Sequence, residues 1–385
     1  MRIALLTTDN RSHRRRFDQL APEIGPAPEA LLSGFAGFPD VQIHVVTCTR
    51  QPMPSPAKLA DNVFFHSLHV PKWGWMRTGY LGCIQAVRRK LHEIKPDLVH
   101  GQGTELEAGL AAAFSGYPNV ITLLGIMREM SHLMKARPGS FHWLAARLES
   151  LALRRTAGVL ANSRFTEDCI RARTPRTWRV PNALRLPFLE TPPAPSNVPG
   201  SVRPRVLNVG TVVDYKRQNE LLDAALRLRK RGADLDWHFV GSAHPLDPYA
   251  ARFIERARGL AWVQWHPSLA LPQLIALLDR ASALVHVSRI ESFGLVVAEA
   301  LARNLKVIGF ASGGVHDIAE GTEAAELVPD GEWSTLEGKL TRWVEQGCPR
   351  PLAAAQTMRE RYHPSIIAGK HLDIYREVLH NLRSA

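Results

Sequence analysis

Short β-rich runs alternate with helix-patterned segments along most of this chain, and one proline-rich stretch interrupts the alternation. In the first half the runs are Ile3–Thr7, Ile43–Thr47, Leu98–His100, Val120–Leu123 and Gly158–Ala161. In the second half they are Val206–Val209, Trp237–Val240, Trp262–Trp265, Leu284–Val287, Val307–Phe310 and Ala325–Val328. Apolar runs of this length, separated by helices, predict an α/β fold, because neighbouring parallel strands need a crossover helix between them. Residues 191–204 are proline-rich and aperiodic, which marks a linker. The expected organisation is two doubly wound domains, residues 1–190 and 205–364, with a last helix at about 365–385 after His363-Pro364. A length of 385 residues suits two such domains. In each, ligands are expected at the carboxyl ends of the strands.

The segment from Arg289 to Ala302 carries the most chemistry. It follows the buried run Ala283–Val287 and continues as a helix expected to end near Arg303-Asn304. Glu291 falls in the strand-to-helix turn, and Glu299 about two turns into the helix. The neighbours of Glu299, from Leu295 to Ala302, leave no polar face, so its carboxylate needs a partner. An internal salt bridge would supply one. The helix start also offers N–H groups at Phe293, Gly294 and Leu295, where an anion can bind. A carboxylate that accepts from hydroxyls beside a phosphate-binding helix end fits a nucleotide-sugar pocket.

Glu291 and Glu299 match an E-x7-E signature, and through it the chain resembles the retaining glycosyltransferases of family 4, which have the GT-B fold. Further stretches carry the likeness: Val206-Leu207-Asn208-Val209-Gly210 leading to Lys216–Leu222, Leu305–Phe310 followed by Ser312–Ile318, Val180–Ala183, and Lys95–Gly101. The resemblance implies two Rossmann-like domains facing across a cleft. The N-terminal one would bind the acceptor, with the last helix packing back on it, and residues 205–364 would bind the nucleotide sugar. It further implies Glu291 and Lys216 as catalytic residues. Gly25, Thr211, Lys216, His266, Glu291, Ser292, Phe293, Gly294, Leu295 and Glu299 would contact the donor. Gly103, Thr104, Glu105, Leu124 and Arg128 would lie on the acceptor side. Lys216 would neutralise the diphosphate as a point charge, with no metal or other cofactor. The donor would be UDP- or GDP-linked and the acceptor a glycan or a lipid-linked glycan. The setting implied is cell-surface polysaccharide or glycolipid synthesis, in the cytoplasm at the inner face of the membrane.

Three positions depart from that pattern. Leu124, in Thr122-Leu123-Leu124-Gly125, stands where the family has a cleft histidine. Thr211 replaces an arginine, and a Gly-Gly pair is reduced to Gly25. Arg128 or the Arg14-Arg15-Arg16 run could replace the missing cation. These departures keep open a non-catalytic GT-B protein that binds nucleotide or glycan and regulates a partner. Gly101-Gln102-Gly103 hints at a nicotinamide-dependent oxidoreductase, but Leu106 occupies the third glycine position. Asp234-Leu235-Asp236 resembles a metal motif, yet it precedes a strand and reads better as a solvated strand start.

The net charge of +12 is uneven: residues 1–190 hold 25 Lys and Arg against 15 Asp and Glu, and so carry +10 of it. Nothing in the chain resembles a nucleic-acid module; the basic half suits solvated basic faces, an acidic substrate or, as the resemblance implies, an anionic membrane surface. Cys48, Cys83, Cys169 and Cys348 are scattered without metal spacing, as expected of reduced cytosolic thiols. The chain opens as a strand rather than a signal peptide, and no apolar run reaches the roughly 20 residues of a membrane span.

Overall fold

The computed structural model describes residues 1–190, 203–244 and 246–383; most of the predicted linker, residues 191–202, lies outside them. Two compact units result, Met1–Leu186 with Tyr362–Ala385, and Pro187–Arg361. Each is an α/β unit built on a mainly parallel sheet.

The first unit has an eight-stranded sheet in the order β3-β4-β2-β1-β5-β6-β7-β8. Its strands are β1 (Arg2–Leu6), β2 (Gln42–Thr49), β3 (Lys58–Ala60), β4 (Val63–His69), β5 (Leu98–Gln102), β6 (Asn119–Leu123), β7 (Gly158–Ala161) and β8 (Thr177–Arg179). Alternation along β1 divides the core. Ile3 and Leu5 join Phe35, Ile43, Val45 and Tyr375 on one face. Ala4 and Leu6 join Val46, Val87, Leu91 and Val99 on the other, as the two-residue period of a strand dictates. Sequence reading missed β3, β4 and β8. β3 and β8 are three residues long, and β4 is interrupted by His66 and Ser67. Because β3 runs antiparallel to β4, this sheet is not wholly parallel.

The last helix, Pro364–Arg383, belongs to this unit and packs on helix Pro26–Ala36. It inserts Tyr375, whose hydroxyl lies 2.5 Å from His100 Nδ1, while His100 Nε2 lies 2.8 Å from Thr122 Oγ1. Burial, with His371 adding to it, holds the His100 pKa well below the ordinary value. Gly34 permits the helix contact, since a methyl group there would overlap the Pro364 carbonyl. Gly34→Ala is therefore expected to lower stability by about 1–3 kcal/mol through overpacking, read as a shift in chemical denaturation midpoint.

The second unit has a six-stranded sheet in the order β11-β10-β9-β12-β13-β14. The strands are β9 (Arg205–Val209), β10 (Asp236–Val240), β11 (Val263–His266), β12 (Ala283–His286), β13 (Lys306–Phe310) and β14 (Ala325–Val328), all parallel. Val206, Trp237, Phe239, Val285 and Ile308 pack beneath Leu221, Leu222, Phe253 and Leu336 from the flanking helices. The strand order reverses between β9 and β12, so the loops leaving these two strands flank a crevice at their carboxyl ends.

Candidate active site

The crevice beside β9 and β12 gathers most of the residues proposed for the donor. After β9 the chain passes Gly210 and an exposed Thr211 into a short turn, Asp214–Lys216, then helix Gln218–Lys230. After β12 it reaches Glu291. One backbone bond fastens these segments, Arg289 N–H donating to Tyr215 O at 2.8 Å, and a second, from Gly314 N–H to Glu291 O at 2.9 Å, ties the turn to the loop after β13. The Lys216 ammonium thereby meets the Glu291 carboxylate in a hydrogen-bonded ion pair.

A third group joins them. His286, the last residue of β12, is 2% exposed and places Nε2 3.2 Å from Glu291 Oε1, without an aligned hydrogen bond. Burial by itself would raise the Glu291 pKa, but Lys216 and His286 outweigh it and pull the carboxyl down to about 2. For Lys216, burial opposes the charge, yet Glu291 raises its pKa above the ordinary value. Both groups are therefore charged at neutral pH. Arg289, the nearest cation in sequence, turns instead to Asp214 at 3.2 Å and Glu220 at 3.9 Å.

The helix after the turn starts later than expected. It spans Leu295–Leu301, because Gly294 takes φ +98° and keeps Ser292–Gly294 out of the helix. Glu299 is consequently its fifth residue, 6% exposed, rather than two turns in. His266 also differs from expectation. It ends β11 rather than occupying a loop, and its Nε2 lies 3.0 Å from His238 Nδ1. Burial, followed by Arg205, lowers the pKa of both rings, that of His238 to about 4.

The acceptor-side residues assemble in the first unit at the ends of β5 and β6. Gly103 follows β5 with φ +87°, and Leu124 follows β6 beside it. Gly101 and Gly109 let helix Glu107–Ala113 press against β5, which gives the glycines of this stretch a packing role. The buried Glu149 is the fastener: Oε2 accepts from Thr104 Oγ1 at 2.9 Å and Met127 N–H at 2.8 Å, and Oε1 accepts from Arg128 N–H at 3.3 Å. Arg173 closes that ion pair at 3.0 Å. Burial lifts the Glu105 pKa to about 7, against the pull of backbone N–H groups at Glu105, Thr104 and Gly125. Gly25 caps helix Pro26–Ala36 in the same unit. The loop before it is held by the fully buried Arg11, which donates to Asp9 at 2.7 Å and to Pro54 O at 2.8 Å. Arg14 and Arg16 both face Glu23.

Sequence reasoning missed His286 and Glu149. A lone histidine in the apolar run Ala283–Val287, and a lone glutamate on the inner face of helix Phe141–Leu153, were the available signals. Asp234 and Asp236 pair with Arg203 and Arg229 at the start of β10, as a solvated strand start should. Among the described residues no group of three or more metal-ligating side chains occurs, and no helix is long and apolar enough to cross a membrane.

The family model for glycosyl transferases group 1 matches residues 196–361, and that for glycosyltransferase family 4 matches residues 35–186. The chain belongs to the group 1 glycosyltransferases with the GT-B fold, and the activity of the family is sugar transfer. No curated protein sequence matches it significantly. Among solved structures, the sucrose-phosphate synthase of Thermosynechococcus elongatus superposes with TM-score 0.76 at 18% identity, covering 99% of this chain and 100% of that one. Anabaena HepE in complex with UDP-glucose gives 0.70 at 17% identity, covering 100% of both. The lipopolysaccharide outer core galactosyltransferase WaaB gives 0.68 at 16% identity, covering 97% and 99%. At such identities the likeness is one of fold.

Proposed function

We propose that this protein is a retaining, metal-independent glycosyltransferase that moves a sugar from a UDP- or GDP-linked donor to a hydroxyl of a glycan or lipid-linked acceptor. It would act in cell-surface polysaccharide or glycolipid synthesis. The observation that carries the reading is the Lys216–Glu291 pair with His286 beside it, at the carboxyl ends of β9 and β12. Without donor, the Lys216 charge rests on Glu291. An arriving diphosphate competes for that ammonium, and Glu291 turns to the hydroxyls of the transferred sugar. As the glycosidic bond breaks, Lys216 balances charge on the leaving phosphate and Glu291 steadies positive charge on the sugar. The acceptor attacks from the face the phosphate leaves, and the leaving phosphate takes its proton. The protein contributes placement and a fixed field. A UDP-linked donor is favoured by the UDP-glucose bound in HepE.

A thermal-shift comparison of UDP, GDP and ADP tests the donor half of this reading, since a ligand of the native state raises apparent stability. Activity that survives chelator supports the metal-free chemistry; loss restored by Mg²⁺ contradicts it. The regulatory alternative is motivated by Leu124 and Thr211, and turnover of a matching donor, even slow hydrolysis, would exclude it.

Glu299 has a separate task, accepting from the ribose hydroxyls. Glu299→Gln is expected to weaken nucleotide binding by about 2 kcal/mol. Calorimetry reads this directly, and unchanged affinity would leave Glu299 a structural residue.

A further inference from the structure

We propose that a groove in the first unit, between helices Met127–Leu133 and Phe141–Leu153, binds an anionic group, phosphate or carboxylate, carried by the acceptor saccharide. The inference rests on the reading that this unit holds the acceptor. The groove has a volume of about 530 Å³ and is lined by Arg128, His132, Lys135 and Arg147, with Trp143 and Ser150 among its walls. That volume lies in the range of small-molecule sites.

Its charge is one-sided. No carboxylate lines the groove. Arg128, Lys135 and Arg147 form no ion pair among the described residues. Arg147 is held with its guanidinium 4.7 Å from the centre of the Trp143 ring, a geometry that fixes the cation without neutralising it. Behind the wall, Arg173 Nη2 donates to Ser150 Oγ at 2.9 Å, while the Nη1 of the same guanidinium is buried without a hydrogen-bond partner. Cations left unpaired around one concavity concentrate positive potential there and attract an anion.

The groove is also joined to the acceptor-side residues. Glu149 accepts from Arg128 N–H at 3.3 Å, and through its other oxygen from Thr104, the residue before Glu105. One buried carboxylate thus fixes the groove wall and the loop carrying Glu105 to each other. An acceptor whose hydroxyl lies at Glu105 can extend its charged substituent toward Arg128.

Calorimetric titration with mannose 6-phosphate, tetragalacturonate and neutral maltotetraose tests the assignment and separates phosphate from carboxylate. At least one anionic saccharide should bind ten-fold or more tighter than maltotetraose. The double variant Lys135→Glu/Arg147→Glu should lose that preference at unchanged UDP affinity and melting temperature. Should charge reversal lower the melting temperature, Lys135→Gln/Arg147→Gln reads the same loss with less perturbation. Equal binding of neutral and anionic saccharides, or a preference indifferent to both variants, overturns the proposal. So does binding to anionic phospholipid vesicles without binding of either anionic saccharide, which would assign the cations to a membrane surface. Failure of the unaltered protein to bind any nucleoside diphosphate would refute the donor reading, while the saccharide comparison still decides the groove.

Discussion

Alanine at Lys216 is expected to lower sugar transfer by about 10²–10³-fold, the usual effect of removing one charged stabiliser of a leaving group. Two losses combine. The diphosphate loses its cation, and the Glu291 carboxylate, only 15% exposed, loses the partner that holds its pKa down. Leaving a mostly buried charge unpaired costs about 3 kcal/mol, so the variant should also unfold at lower denaturant. Ligand comparison separates these effects. Affinity should fall far more for a nucleoside diphosphate than for the nucleoside, and equal falls would show that Lys216 acts through folding. Glu291→Ala is the counterpart: turnover should drop while affinity for the nucleotide alone is kept. Joint loss of nucleotide affinity and stability would make Glu291 structural.

The second large effect belongs to Glu107, which no proposed chemistry uses. It is 2% exposed, neither carboxylate oxygen makes a hydrogen bond to another residue, and burial lifts its pKa from 4.5 to about 7 against the pull of its own backbone N–H and of Arg50. Below pH 4.5 the group is protonated in both folded and unfolded chains and has no effect on stability. Between 4.5 and 7 the unfolded chain gives up the proton first, so the folded state binds more protons and stability falls as pH rises. Above 7 the loss is complete, at about 3 kcal/mol. Glu107→Gln should match the parent near pH 4.5 and exceed it by about that amount at pH 8. Glu105 titrates over the same range, so only the difference between variant and parent isolates Glu107. Denaturant unfolding at the two pH values measures it, and an unchanged difference would mean that Glu107 is satisfied when ionised.

Where the sequence was read correctly, the signal was local. Apolar runs such as Leu284–Val287 and Val307–Phe310 mark buried parallel strands because both faces must be covered. Glu291 stood out because a carboxylate in a turn after such a strand has a chemical reason to be there. Contacts across long separations carried no such signal. Lys216 and Glu291 meet because β9 and β12 lie side by side, with Ala283 opposite Val206. The histidine beside them, 3.2 Å from Glu291, adds a close contact that no local pattern announces. The helix start was misplaced because the backbone conformation of Gly294 is not written in its neighbours. Glu107 escaped for another reason: a glutamate opening a helix reads as an ordinary first-turn acid, and its burial near Cys48 and Tyr80 depends on residues from other elements.

The return of residues 362–385 to the first unit also orders events on the ribosome. Residues 187–361 form an unbroken segment whose sheet needs nothing from outside it, so it is complete when Arg361 emerges. The unit synthesised first is the one completed last. Until Tyr375, Ile367 and Leu372 arrive, Phe35 and Leu31 have an uncovered apolar side, and His100 lacks the hydroxyl that meets its ring. Ribosome-bound chains halted before Pro364 should therefore present a hydrophobic surface that chaperones recognise, and release from chaperones should coincide with emergence of the last helix.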